Sequence, residues 1–183
     1  MKITMTLLTV GLLALSVHAL EVGDKAPLFE LQDQDGKEWK LSEHLGGKHI
    51  VVYFYPAAMT GGCTKQACSY RDHLASGESA LEIVGVSGDT VQNLKWFQTA
   101  ENLNFTLLSD SDASTAKAFG VPVREGEKSI TRTVAGEEVE LIRDATTSRW
   151  TFIIDPAGKV VYKDDQVKPT ADLENVITFL GKE

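Results

Sequence analysis

Residues 49–74 read HIVVYFYPAAMTGGCTKQACSYRDHL, and the order strand, loop, helix is visible in that one stretch. Residues 49–55 are apolar and rich in β-branched and aromatic side chains, which predicts a central strand covered on both faces. Pro56 ends the strand, and a loop of small residues leads into a predicted helix from about Cys63 to Leu74. A buried strand that passes directly into a helix is typical of α/β proteins.

The segments on either side continue this pattern of strands and helices, and residues 20–183 are predicted to form one domain. Before the strand, Asp35-Gly36 marks the turn of a hairpin. After the helix we predict a strand over 82–88, a helix capped by Asp89 or Thr90, a strand over 105–108 and a short helix ending at Gly120. A second hairpin over 151–162 and a final helix follow. That helix is predicted to be capped by Thr170, to end at Gly181 and to bury an apolar stripe of Leu173, Val176, Ile177 and Leu180.

A βαβ half followed by a ββα half predicts an α/β fold of the thioredoxin-like type. Its central mixed sheet is flanked by helices, with an N-terminal hairpin and an inserted strand–helix. Residues 121–148 fit this scheme least well. Apolar residues alternate on both sides of Ala135-Gly136, which predicts a protruding hairpin.

Composition excludes several classes of protein. The net charge of −8 argues against a nucleic-acid-binding surface. Two cysteines are too few for a disulfide-rich mini-protein or a four-cysteine zinc module. At 183 residues the chain is long enough to bury its own core without a cofactor.

Residues 1–19 have the layout of a secretory signal peptide. Lys2 precedes an apolar, uncharged run from Ile3 to Val17, and Val17-His18-Ala19 ends it with small residues at the two positions that a signal peptidase reads. A membrane anchor or a first core helix is the alternative, but the run is short for a span. We expect cleavage after Ala19, export to the periplasm and no stable membrane insertion afterwards.

The residues around Cys63 carry the chemical information. Cys63 follows the carboxyl end of a central strand and lies near the first turn of a helix, where free backbone N–H groups and the helix dipole stabilise a thiolate. Cys68, five positions later, could form a static bridge, or could bind a metal together with His73. Steps of five turn a helix by about 140°, so those three side chains cannot converge on a metal while the helix is intact.

Pro56, Thr60 and Cys63 form Pro-x-x-x-Thr-x-x-Cys, which resembles the active-site motif of the peroxiredoxins. With Cys68 five residues on, the chain resembles the bacterioferritin-comigratory-protein/PrxQ subfamily of atypical two-cysteine enzymes. Arg149, in Arg-x-Thr-Phe-Ile-Ile-Asp, stands where that family carries its active-site arginine. Gly61 departs from the family, which usually has Pro there, and the 121–148 insertion is longer than in compact members.

The resemblance implies a thiol-dependent peroxidase that acts on hydrogen peroxide or organic hydroperoxides. Cys63 would be the nucleophile, Arg149 would stabilise its thiolate, Thr60 would bond the sulfur or the peroxide, and Pro56 would shield the site from water. The Cys63 sulfenic acid would condense with Cys68, and a thioredoxin-like protein would reduce the disulfide. The resemblance implies neither a metal nor a cofactor. We expect the protein to be a monomer or a weak homodimer.

Two other functions on the same fold are weaker alternatives. A thiol–disulfide oxidoreductase would normally carry Cys-x-x-Cys at the helix start, which this chain lacks. A copper-delivery protein would use Cys-x-x-x-Cys with a distant histidine, whereas here the spacing is one residue longer and no histidine lies near Arg149 in the sequence.

Overall fold

The computed structural model describes residues 20–77 and 81–182. The predicted signal peptide, residues 1–19, lies outside the described residues. Among the helices that are described, none combines the length and the apolar character needed to cross a membrane.

A seven-stranded mixed sheet forms the centre of the molecule, in the order β2-β1-β5-β4-β3-β8-β9. Its strands are β1 (Glu30–Asp33), β2 (Glu38–Lys40), β3 (His49–Phe54), β4 (Leu81–Ser87), β5 (Thr106–Ser109), β8 (Trp150–Ile154) and β9 (Val160–Asp164). Strand β3 pairs parallel with β4 and antiparallel with β8. The predicted central strand, leading hairpin and inserted strand–helix are therefore confirmed.

Helices cover both faces of the sheet. They are α1 (Leu41–His44), α2 (Gly61–Ala75), α3 (Val91–Glu101), α4 (Ser114–Ala118) and α5 (Asp172–Leu180). Alternate residues of β3 enter two separate cores: Ile50, Val52 and Phe54 pack with residues of α4, and Val51 and Tyr53 pack with residues of α2, α3 and α5. The continuous apolar run of β3 follows from this two-sided burial.

The insertion forms a separate two-stranded hairpin, β6 (Val123–Val134) and β7 (Glu137–Thr147), as predicted. Ala135 and Gly136 occupy its turn with positive φ angles of 52° and 90°. The hairpin is mostly exposed, but Val134 and Leu141 are buried in the core cluster that contains α2 and α3. Its apolar side therefore packs against the domain.

Three details of the predicted helices are wrong or displaced. Helix α2 begins at Gly61, two residues earlier than expected. The N-cap of α5 is Ala171, not Thr170, because a turn that closes from Ala171 N to Lys168 O delays the helix start. Ile177 is 38% exposed and does not belong to the buried stripe. The cap predicted for α3, Asp89 or Thr90, is confirmed: it is Thr90, whose side chain accepts a hydrogen bond from Asn93 N at 3.2 Å.

Candidate active site

Cys63 is the third residue of α2 and is only 2% exposed. Its Sγ lies 3.1 Å from Nη2 of Arg149. Sheet pairing brings the two residues together, since Phe54 at the end of β3 is registered with Trp150 at the start of β8. The sulfur is therefore held between a guanidinium and the N-terminal end of a helix, two features that stabilise a thiolate.

Arg149 is held in turn by Gln66. Its Nη1 donates to Gln66 Oε1, and Gln66 Nε2 donates to Asp172 Oδ2 at 2.5 Å. Gln66 lies one turn after Cys63 on α2, whereas Asp172 is the first residue of α5. A continuous chain of hydrogen bonds therefore links the C-terminal helix to the Cys63 sulfur.

Asp172 is fully buried and accepts several hydrogen bonds at one oxygen. Besides Gln66, Tyr70 OH donates to Oδ2 at 2.7 Å and Thr151 Oγ1 at 3.0 Å. Burial raises the pKa of Asp172 above its ordinary value, and the three donors oppose that rise. The carboxyl group thus joins α2, β8 and α5 beneath the site.

Thr60 and Pro56 flank the loop between β3 and α2. The Thr60 hydroxyl donates to Ala57 O at 2.9 Å, so its proton is not directed to the sulfur, and its side chain does not cap the helix. The predicted bond from Thr60 to sulfur is therefore absent from this geometry, although the hydroxyl oxygen can still accept. Pro56 is half-buried and lines a cavity of about 330 Å³ with residues of the β6–β7 hairpin and the segment that follows it.

Cys68 lies on another side of α2 from Cys63. Its Sγ donates to Glu101 Oε2, the last residue of α3, at 3.6 Å. Burial raises the pKa of the Cys68 thiol, the Arg71 cation opposes the rise, and Glu101 adds to it. Both cysteines are free thiols, and α2 runs unbroken through both. The two sulfurs contact different elements, as the helical offset between them predicts.

The β6–β7 hairpin holds the loop between β3 and α2 through contacts that were not predicted from the sequence. Arg132 Nε donates to the carbonyl of Met59, a residue with φ of 56°, at 2.8 Å, and Thr147 Oγ1 donates to the carbonyl of Tyr55 at 3.0 Å. Buried Asp89 accepts from Ala58 N at 2.7 Å. The loop between β3 and α2 is therefore tethered by the β6–β7 hairpin and by Asp89.

The structure brings Cys63 and Arg149 into contact, places Thr60 at the N-cap of the same helix and Pro56 in the loop before it, and directs Cys68 to a different element. Gln66 and Asp172 were not predicted from the sequence as residues of the site. Gln66 could have been noticed as a polar residue one turn after Cys63, but nothing in the sequence placed Asp172 near it. Within the described residues, no group of three or more His, Cys, Asp or Glu side chains could hold a metal ion.

A buried cysteine at a helix start, paired with an arginine on a thioredoxin-like sheet, defines a thiol enzyme with a nucleophilic cysteine. The profile of the AhpC/TSA family matches residues 22–163, and the chain belongs to this family, which is that of the peroxiredoxins. It is accordingly a thiol-dependent peroxidase.

Relatives of known sequence agree with this assignment. Peroxiredoxin Bcp of Escherichia coli strain K12 is 39% identical over 165 residues, covering 90% of this chain and 97% of the relative. The chloroplastic peroxiredoxin Q of Suaeda salsa is 37% identical, covering 90% of this chain and 69% of the relative.

Solved structures place the fold in the same group. Peroxidoxin BcpB of Mycobacterium tuberculosis superposes with a TM-score of 0.72 at 33% identity, covering 89% of this chain and 97% of that one. The bacterioferritin comigratory protein of Xanthomonas campestris, described with an alkyl peroxide reduction activity, superposes with a TM-score of 0.67 at 27% identity, covering 84% and 90%. The thioredoxin-like fold and its PrxQ-type resemblance are thereby confirmed.

Proposed function

We propose that Cys63 is the nucleophile that reduces the peroxide, that Cys68 resolves the product as a disulfide, and that a thioredoxin-like protein returns both to thiols. The observation that carries this proposal is the 3.1 Å contact between Cys63 Sγ and Arg149 Nη2 at the start of α2. The contact places a cation beside the one sulfur that also lies at a helix N-terminus.

In the first step the Cys63 thiolate attacks one oxygen of the peroxide, and the O–O bond breaks. An S–O bond forms, sulfur becomes a sulfenic acid, and the leaving oxygen departs as water or an alcohol after gaining a proton. Arg149 offers donors for the developing negative charge. Thr60, whose own proton is engaged by Ala57 O, would accept the hydrogen of the bound peroxide.

In the second step the Cys68 thiol attacks the sulfenic sulfur, and water leaves as the disulfide forms. An intact helix opposes this step, because residues five apart are separated by roughly 8.6 Å between Cα atoms, whereas a disulfide needs less than about 7 Å. The first turns of α2 must therefore unwind. Unwinding separates Cys63 from Arg149 and Cys68 from Glu101, and it exposes the disulfide to its reductant.

Organic hydroperoxides are included among the proposed substrates because of the cavity beside Pro56. Its volume of about 330 Å³ is large enough for an organic substituent, and Pro56 is the motif residue that lines it. Arg124, on β6, lines the same cavity and would favour a substituent with negative charge.

Two further parts of the proposal concern where and in what form the enzyme works. Residues 1–19 would direct export to the periplasm, since Lys2, the apolar run and Ala19 form a signal-peptide pattern. We propose a monomer or weak homodimer, in line with the resemblance to the PrxQ-type enzymes.

Peroxide consumption with a thioredoxin-dependent reducing system tests the proposal. Cys63→Ser should abolish consumption of hydrogen peroxide and of cumene hydroperoxide. Cys68→Ser should complete one turnover and then stop, because its sulfenic acid has no resolving partner. Sustained turnover by Cys63→Ser, at the rate of the unaltered protein, would contradict the assignment.

A further inference from the structure

Asp172 is one hydrogen-bonded side chain away from the arginine that contacts Cys63, yet the chemistry proposed above gives it no role. Gln66 connects them: its Oε1 accepts from Arg149, and its Nε2 donates to Asp172 Oδ2 at 2.5 Å. Gln66 and Asp172 have no exposed surface. Bulk water therefore does not compete for the hydrogen bond between them in the folded protein.

The chemistry of the three groups fixes the direction of the chain. A guanidinium can only donate hydrogen bonds, Asp172 Oδ2 accepts hydrogen bonds here, and an amide has one end of each kind. With Asp172 in place, the NH₂ end of Gln66 must face α5 and its oxygen must face Arg149. The reversed amide would set donor against donor at Arg149 and acceptor against acceptor at Asp172.

We propose that Asp172 is a positioning residue of the peroxidase site, which holds the Arg149 guanidinium against the Cys63 sulfur by fixing the Gln66 amide. Arg149 is only half-buried and has a long side chain with many rotamers. The Gln66 oxygen restricts its Nη1 while Nη2 reaches the sulfur. The inference rests on the proposed role of Cys63 as the nucleophile.

A purely architectural role for Asp172 is the competing explanation. Tyr70 and Thr151 also donate to its Oδ2, so the residue could serve only to attach α5 to α2 and β8. The two explanations differ in what happens at Cys63. Loss of an architectural contact lowers stability, whereas loss of a positioning contact also changes the reactivity of the sulfur and its dependence on pH.

The experiment measures the first oxidation step in the Cys68→Ser background, by single-turnover reaction with hydrogen peroxide over a range of pH. Asp172→Ala should slow this step by about tenfold and should shift the pH–rate profile to higher pH, because Arg149 no longer stabilises the thiolate as well. Asp172→Asn keeps a carbonyl acceptor for Gln66 and should recover most of the rate. Asp110→Ala is the matched control, since Asp110 is equally buried but caps the start of α4.

A second set of variants isolates the route through Arg149. In an Arg149→Ala background, Asp172→Ala should cause no further loss of rate, because there is no guanidinium left to position. Gln66→Leu leaves Asp172 with its other two donors and should reproduce the tenfold loss if Asp172→Ala does not fold.

Three results would overturn the inference: a wild-type pH–rate profile in Asp172→Ala or Gln66→Leu, an effect no larger than that of Asp110→Ala, or an equal loss with and without Arg149. Failure of the proposed function would give a result that differs from these three. In that case the Cys68→Ser protein itself would not react with peroxide at Cys63.

Discussion

At the scale of single residues, the two cysteines contact side chains of opposite charge, although they are close together in the sequence. Cys63 contacts the Arg149 cation, whereas Cys68 contacts the Glu101 carboxylate. A cation stabilises the thiolate and a carboxylate stabilises the thiol. This difference is the one that the proposed roles require, with Cys63 as the attacking thiolate and Cys68 as the resolving thiol.

Replacing Glu101 should make Cys68 more reactive. Burial and Glu101 raise the pKa of Cys68, so Glu101→Gln should lower that pKa by removing a negative charge that opposes the Arg71 cation. In a Cys63→Ser background, alkylation of Cys68 at neutral pH should become faster by about twofold to tenfold, in proportion to the thiolate fraction. Glu174→Gln, an exposed change on α5, serves as the control. An alkylation rate equal to that of the control would show that Glu101 does not act on Cys68.

Cys63 could be singled out from its position at a strand–helix junction, whereas Pro56, Thr60 and Arg149 were predicted through the resemblance to the peroxiredoxin motif. Pro56 and Thr60 lie before α2, Cys63 lies in its first turn, and Arg149 precedes β8, which pairs with β3. Gln66 and Asp172 are separated by 106 positions, and their contact depends on how α5 packs over α2. No periodicity or spacing encodes that packing. The Thr60 hydroxyl bond to Ala57 likewise depends on the loop conformation, which the sequence does not specify.

At the scale of secondary-structure elements, α2 carries both cysteines and would have to change for the proposed disulfide to form. Its first turns contain Gly61 and Gly62, and glycine is a weak helix former. The segment thus combines a functional requirement for unwinding with a sequence that permits it at modest cost.

Amide hydrogen exchange in the two redox states tests this change. Protection over residues 62–72 should be lower in the oxidised protein than in the reduced one, because the helical hydrogen bonds of the first turns are lost on disulfide formation. Strand β4 should keep the same protection in both states and provides the internal control. Equal protection of residues 62–72 in both states would contradict the unwinding.

The β6–β7 hairpin is the element whose role was least visible in the sequence. Its alternating apolar residues predicted two strands around Ala135-Gly136, and the register confirms them. The alternation did not reveal that Arg132 and Thr147 hold the carbonyls of the loop before α2. Those contacts join residues 73 and 92 positions apart, which local patterns do not specify.

Close approach of the hairpin to Gly88 gives a prediction about stability. A Cβ atom at Gly88 would lie 2.3 Å from the backbone oxygen of Ala145, so Gly88→Ala forces β7 away from the start of α3. The free energy of unfolding should fall by about 1–3 kcal/mol, as for other overpacked sites. Gly47→Ala, which meets no atom within 4 Å, should change it little. Denaturant unfolding of both variants measures the difference, and equal stabilities would contradict the close packing.

At the scale of the whole molecule, the family match covers residues 22–163, and the strands of the thioredoxin-like sheet lie between Glu30 and Asp164. The acidic net charge of −8 suits a freely soluble enzyme with a small substrate better than one that binds nucleic acid. The order of elements was predictable because each has its own hydrophobic period. The packing in two cores, which joins α5 to the active site, could not be predicted from the sequence.

Export is a property of the whole chain and has its own test. N-terminal sequencing of the protein purified from its natural source should begin at or near Leu20, because Val17-His18-Ala19 fits the signal-peptidase pattern. An Ala19→Arg variant, which disrupts that pattern, should accumulate with residues 1–19 attached. An intact Met1 on the unaltered mature protein would overturn the prediction.

The central claim is that peroxide oxidises Cys63 and no other residue in the first step. Its most direct test is mass spectrometry of the Cys68→Ser protein after one equivalent of hydrogen peroxide, with dimedone present to trap sulfenic acid. We predict one adduct per chain, located at Cys63, and no adduct in Cys63→Ser treated in the same way. Consumption of the peroxide without an adduct at Cys63, or an adduct at Cys68 in the Cys63→Ser protein formed as fast, would contradict the account.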